Sequence, residues 1–255
     1  MKQGRSVSSV RVSVCMATYN GVPYLTEQLD SILSQLSAAD ELVVVDDGST
    51  DGTRAILDAL DDPRITVHHT DRNLGYVGAF GRALTAARGE YLVLSDQDDI
   101  WPAGRVDALV SALQDAEVAV GNVVDLEHRR PLPSPVRRRP WRLSSAASGQ
   151  HRRNLLRIWA GIIPYFGSAM ALRRSALDRV LPFPAYLHES HDLWIATVGN
   201  VDRSIRHLDD VVTWRRLHDT NASTSRPRAV GPVLRARVML LRLALEARRR
   251  RSRTQ

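Results

Sequence analysis

The sequence predicts an α/β domain: a mostly parallel sheet with helices on both faces, followed by a basic helical tail. Two observations carry that class. Runs such as Leu42–Val45 and Tyr91–Leu94 are apolar at every position, the pattern of strands buried on both sides rather than one. Between such runs lie segments whose apolar residues recur at three- and four-residue intervals, so strand and helix alternate. The 255 residues, 44% hydrophobic and 25% charged, suffice to bury one full core and exclude a disordered or fibrous chain.

In order, Val10–Ala17 is a β-branched run feeding the loop Thr18-Tyr19-Asn20-Gly21, and Leu25, Leu29, Ile32, Leu33 and Leu36 mark a helix over Tyr24–Leu36. Glu41–Asp46 is a second strand, broken at Asp46-Asp47-Gly48-Ser49-Thr50-Asp51 before a helix over Arg54–Leu60 for which Ser, Thr and Asp are suitable N-caps. Ile65–His69 is a third strand, turning at Asp71–Gly75 into a helix over Val77–Ala87 that Gly89 closes. Tyr91–Leu94 is the fourth strand. A helix over Arg105–Leu113 and a strand over Val118–Val124 follow.

Composition then shifts. Leu126–Gln150 holds four prolines and clustered arginines, which predicts an extended, mobile insertion, with order returning at Leu155. Gly167–Leu172 reads as a strand, Arg174–Val180 and His191–Val198 as helices, and Val211–Trp214 as the last strand before a loop over Arg215–Ser225. Pro232–Arg251 interleaves leucines and valines with arginines, as an amphipathic tail does.

The formal charge of +7 is unevenly placed. His128–Arg153 carries +8 and Arg235 to the end +7, leaving about −8 for the remainder. An acidic body with two basic arms weakens a nucleic-acid reading, and neither arm has the aromatic interleaving that single-stranded nucleic acid favours. The lone Cys15 permits no internal disulfide. No apolar stretch is long enough to span a bilayer, and Met1–Ser9 lacks the centre of a signal peptide, so a cytoplasmic chain is expected.

In a parallel sheet ligands gather at the carboxyl ends of the strands. Here those ends carry Thr18–Asn20, Asp46 and Asp47, Asn73, and the cluster Ser95-Asp96-Gln97-Asp98-Asp99. Carboxylates so placed suit Mg²⁺ or Mn²⁺, which take one or two protein carboxylates and complete their shell with phosphate oxygens.

Ala17-Thr18-Tyr19-Asn20-Gly21, Val45-Asp46-Asp47-Gly48-Ser49-Thr50-Asp51, Arg72-Asn73-Leu74-Gly75 and Ser95-Asp96-Gln97-Asp98-Asp99 resemble, in order and spacing, the motifs of family 2 glycosyltransferases. The resemblance covers roughly residues 10–221 and looks most like the rhamnosyltransferase-like branch. It implies a GT-A fold with a single Rossmann-like sheet, and an inverting, metal-dependent transfer from dTDP-rhamnose or a UDP-hexose to a cell-surface glycan or lipid-linked acceptor.

By the same resemblance Thr18, Tyr19, Asn20, Asp46, Asp47, Asn73 and Gly75 are expected to bind the donor. Asp96 and Asp98 look like the DXD pair, Asp98 the metal ligand and Asp96 shared between donor and metal. Asp192, in His188-Glu189-Ser190-His191-Asp192, stands where the family places its catalytic base, with Glu189 as rival. Trp214-Arg215-Arg216-Leu217-His218-Asp219-Thr220-Asn221 resembles the late Arg-x-His loop, so Arg216 would hold the diphosphate and His218 the metal, Arg215 being the other register.

The implied organisation is a disordered 1–9, a glycosyltransferase domain over 10–228 and a basic tail over 229–255. The domain divides into a nucleotide-sugar half (10–125), the insertion (126–153) and an acceptor half (154–228). The tail would suit an anionic membrane surface at the inner face of the cell membrane. Two alternatives stand beside this reading: a nucleotidyltransferase, disfavoured because Thr18–Gly21 is not a glycine-rich basic phosphate loop, and a non-catalytic nucleic-acid or membrane adaptor.

Overall fold

The computed structural model describes residues 10–134, 140–218 and 230–254. The expected disordered 1–9, residues 135–139 of the insertion and 219–229 of the late loop lie outside them. The strands are β1 (Val12–Thr18), β2 (Glu41–Asp46), β3 (Ile65–His69), β4 (Tyr91–Ser95), β5 (Val118–Asp125), β6 (Met170–Arg173) and β7 (Ile205–Arg215). They form one sheet in the order β3-β2-β1-β4-β6-β5-β7, in which only β6 runs antiparallel to its neighbours.

The helices are α1 (Leu25–Leu33), α2 (Thr53–Asp58), α3 (Gly75–Ala86), α4 (Arg105–Ala112), α5 (His151–Ala160), α6 (Leu177–Val180), α7 (His191–Val201) and α8 (Val230–Thr254). Strand periodicity divides them between two cores. Val14 and Met16 face α1 and α4 through Leu25, Leu29, Ile32, Val106 and Leu109. Between them Cys15 points the other way, into a core with Phe80 and Leu84 of α3, Trp194 and Ile195 of α7, and Leu243 of α8.

Several expectations change in this half of the chain. Gly167–Ala169 is a single 3₁₀ turn, and only then does β6 begin. β7 starts at Ile205, six residues before the predicted strand, and is offset against β5 by irregularities around Asn122. The Asn122 amide satisfies the backbone those irregularities expose: it donates to the carbonyls of Leu208 (2.9 Å) and Leu143 (3.3 Å) and accepts from the Leu143 N–H at 2.7 Å. Helix α5 begins at His151, within the predicted insertion, and the described flanks of that insertion are packed, with Leu132 and Leu143 buried.

The basic tail is a docked helix. Leu240, Leu243 and Ala247, at helical spacing on one face of α8, are buried in the core. Its arginines then do what a helix terminus requires, since the last carbonyls of a helix have no partner within it. Arg237 donates to the carbonyl of Ala160 at the end of α5 (2.9 Å), Arg250 to that of Val180 at the end of α6 (3.2 Å), and Arg251 to that of Val201 at the end of α7. Three arginines of the tail thus cap three helices of the body.

Candidate active site

The carboxyl ends of β1, β2 and β4 meet the start of α7 and the end of β7 around one cleft of about 610 Å³. Of the donor and metal residues expected from sequence, Thr18, Tyr19, Asn20, Asp47, Asn73, Gly75, Asp96, Asp98 and His218 all line it, as do Asp192 and its rival Glu189.

The nucleotide side is built by short ties between strand ends. Gln97 clamps β1 to the acidic turn: its Oε1 accepts from Thr18 Oγ1 (2.5 Å) and the Tyr19 N–H (2.8 Å), and its Nε2 donates to the Tyr19 carbonyl (3.0 Å). Asp47 accepts from the Leu74 N–H at 2.7 Å, fixing the turn that carries Asn73. Asn73 in turn accepts from the N–H of Gly75 at 2.9 Å, where φ is +74°, a conformation that favours glycine.

Carboxylate oxygens of Asp96, Asp98 and Asp99 lie within 4.8 Å of one another. Burial and then mutual repulsion hold the Asp96 and Asp99 carboxyls well above the usual range. Asp99 Oδ2 is buried with no hydrogen-bond partner among the described residues, and His218 Nε2 lies 2.7 Å from Asp98 Oδ2. An orphaned buried oxygen in an oxygen-rich donor set with one imidazole fits a hard divalent cation.

Beneath this cluster Arg105 is wholly buried. Its guanidinium donates to the carbonyls of Leu94 and Val212 (2.8 Å each) and to Thr213 Oγ1, and lies 4.0 Å over the Trp101 ring. Burial lowers it to about 9, the charges of Asp99 and Asp96 pulling the other way. It ties β4 to β7 and sets a positive charge under the acidic turn.

On the opposite wall Asp192 opens α7 just after Ser190, whose φ is +64° and whose N–H donates to Tyr76 Oη at 3.0 Å. Burial raises the Asp192 carboxyl to about 6, opposed by the Leu193 N–H and the charge of Arg215. Its neighbour His191 is a packed ring, stacked on Phe80 at 4.4 Å between centroids and pushed down to about 3 by burial, hence neutral.

Two expected donor residues fall outside the cleft. Asp46 is buried, its carboxylate 3.0 Å from His69 Nδ1 and accepting from the Ser49 N–H at 3.2 Å, so it braces β2 against β3. Arg216 pairs with Glu27 at 2.5 Å and donates to the Asp98 carbonyl, while Arg215, the other register, lines the cleft 5.3 Å over the Phe166 ring. Sequence reading gave no role to Gln97, Arg105, Tyr76 or Phe166. The acidic turn itself was the signal for Arg105, because three clustered carboxylates require a nearby cation. Thr220 and Asn221 of the late loop lie outside the described residues.

Comparison with known proteins bears on the family and the fold. The Glycosyl transferase family 2 family matches residues 13–181. Glycosyltransferase GlyG of Streptococcus pneumoniae is 36% identical over 115 residues, 44% of this chain and 38% of that protein. The UDP-Glc:alpha-D-GlcNAc-diphosphoundecaprenol beta-1,3-glucosyltransferase WfgD of Escherichia coli is 34% identical over 102 residues, 40% of each chain. The aligned stretch is thus less than half the length of either relative. In fold, the crystal structure of S. aureus TarS 1-349 in complex with UDP-GlcNAc superposes with a TM-score of 0.67 at 21% identity, over 91% of this chain and 66% of that one. Glucosyl-3-phosphoglycerate synthase from Mycobacterium tuberculosis, in complex with Mn²⁺, UDP and glucosyl-3-phosphoglycerate, gives 0.58 at 20% identity over 93% and 79%. With sheet order and family match in agreement, this chain belongs to glycosyl transferase family 2 and has the GT-A fold.

Proposed function

We propose that the protein transfers a hexose from a UDP-hexose to a hydroxyl of a glycan or lipid-linked acceptor, with inversion and with Mn²⁺ or Mg²⁺ bound. The observation that carries this is that Asp96 and Asp98, clustered with the buried Asp99, line one cleft with Asp192. Thr18, Tyr19, Asn20 and Asp47 would hold the base and ribose. Asp98, Asp96, Asp99 and His218 would hold the cation, whose chemistry there is neutralisation of charge on the departing diphosphate. Asp192 would take the acceptor's proton, and Arg215 adds positive charge between the two walls.

The relatives favour UDP over dTDP. WfgD is named for UDP-Glc, and the two solved structures hold UDP or UDP-GlcNAc. The test is calorimetric titration of UDP-glucose, UDP-galactose, UDP-GlcNAc and dTDP-rhamnose with and without Mn²⁺. One UDP-hexose is expected to bind, and to bind more tightly with the metal. Failure of every nucleotide sugar to bind sinks the reading.

No helix of the described residues is long and apolar enough to cross a membrane. The face of α8 turned away from the body exposes Leu234, Val238, Leu241 and Leu245, flanked by exposed Arg235, Arg242, Arg248 and Arg249. That pattern supports peripheral attachment to an anionic inner leaflet. Co-sedimentation should be strong with vesicles rich in phosphatidylglycerol and weak with phosphatidylcholine alone; equal binding to both removes the electrostatic argument.

A further inference from the structure

Tyr76 is the second residue of α3, next to Gly75 and three after Asn73, and its side chain reaches from that donor wall to the start of α7. Two contacts fix it there. Its Oη accepts from the Ser190 N–H at 3.0 Å, and its ring meets His191 edge-on with centroids 5.6 Å apart. Phe80, one turn further along α3, stacks on the same imidazole at 4.4 Å, so one face of α3 is locked against the first turn of α7.

The hydroxyl held in this way is half used. A phenol oxygen carries one hydrogen to give and can also accept. Ser190 takes the accepting side, and no group among the described residues takes the hydrogen. Burial raises the phenol to about 12, the Ser190 N–H opposing it and the charges of Asp192, Glu189 and Asp96 adding to it, so the group stays neutral and keeps its proton. Those carboxylates belong to both walls of the cleft, Asp96 to the acidic turn and the other two to the base side. Tyr76 is thus within electrostatic reach of both, and at 38% exposure it is open to a ligand.

The sugar of a bound donor has to occupy this ground. Its anomeric carbon is joined to the phosphate held at the acidic turn and is attacked by the hydroxyl that Asp192 deprotonates. A fixed O–H with no acceptor suits a sugar oxygen, and a site built to bond a hydroxyl rejects an analogue that lacks it. We infer that Tyr76 donates its phenolic hydrogen to one hydroxyl of the transferred hexose and so discriminates among UDP-hexoses. The inference rests on the donor reading proposed above and deepens it by naming a residue that reads the sugar rather than the nucleotide.

The test is Tyr76→Phe, which keeps the ring against His191 and removes Oη alone. Calorimetry with Mn²⁺ present compares UDP with UDP-glucose, UDP-galactose and UDP-GlcNAc. UDP should bind the variant as it binds the wild type, which also reports that the variant is folded. The UDP-hexose that the wild type binds most tightly should lose about tenfold in affinity. Analogues of that hexose lacking one hydroxyl at a time complete a thermodynamic cycle. One of them should bind the wild type about tenfold more weakly than the parent and show no further loss in the variant. Equal losses for UDP and the UDP-hexose, no loss for the UDP-hexose, or losses that add for every analogue each overturn the assignment. A wild type that binds every deoxy analogue as tightly as the parent overturns it without recourse to the variant. With UDP bound by the wild type, these outcomes defeat this inference alone; absence of UDP binding defeats the donor reading beneath it.

Discussion

Replacing Asp192 with Asn is expected to abolish transfer while leaving donor binding intact. An alcohol attacks poorly until a positioned group takes its proton, and such a base contributes on the order of 10²–10⁴ in rate. Asn keeps the size of the side chain and its bond with the Leu193 N–H but accepts no proton. Initial rates with a fixed acceptor should therefore fall by about 10³, with the Kd for the UDP-hexose unchanged by calorimetry. The pH profile supplies a second readout. Burial raises the Asp192 carboxyl to about 6, and a base works only when ionised. Thus kcat/KM should rise with pH through about 6 and level off above it. Transfer retained in the Asn variant, or a rising limb that survives in its residual activity, moves the role to Glu189, which shares the cleft.

The first half of the fold was legible because its physics is written in composition. Strands β1, β2 and β4 are buried on both faces, and no polar residue can interrupt such a strand cheaply. The start of β7 was hidden because Arg206, Asp209 and Asp210 face solvent and break the apolar run. The start of helix α5 was hidden by Arg152 and Arg153, which read as part of a basic insertion until Asn154 and Ile158 are seen buried on the opposite side.

The site follows the same division. Thr18, Asp47, Asn73, Asp96 and Asp98 were legible because each lies at or after a strand end. Arg215 and Arg216 were not resolved because successive side chains of a strand point opposite ways. Which of the two enters the cleft depends on the register of β7 against β5, set by the offsets around Asn122. Arg105 reads as a surface residue at a helix start, yet its contacts to Leu94 and Val212 come from strands far apart in sequence.

Replacing Asp98 with Asn is expected to weaken Mn²⁺ binding at the proposed cation site. The three carboxylates of the acidic turn share a space 4.8 Å across. Arg105 beneath them and Arg215 beside them do not fully compensate, because Asp96 and Asp99 remain raised, mainly by burial. Carboxyls in that condition hold protons that a divalent cation displaces. Mn²⁺ binding near neutral pH should therefore release protons, measurable as a dependence of binding enthalpy on the buffer's ionisation enthalpy. The Asp98→Asn change removes one ligand and one charge without changing volume. It also weakens the pair with His218 Nε2 by removing the carboxylate's charge. Mn²⁺ affinity and its proton release should both fall, and transfer with them by on the order of 10²–10³, the range for losing one group that stabilises charge in the transition state. UDP affinity measured without metal should change little, because the clamp from Gln97 to Thr18 and Tyr19 is untouched. Mn²⁺ binding as tight in the variant as in the wild type would place the cation elsewhere and leave the acidic turn a structural feature.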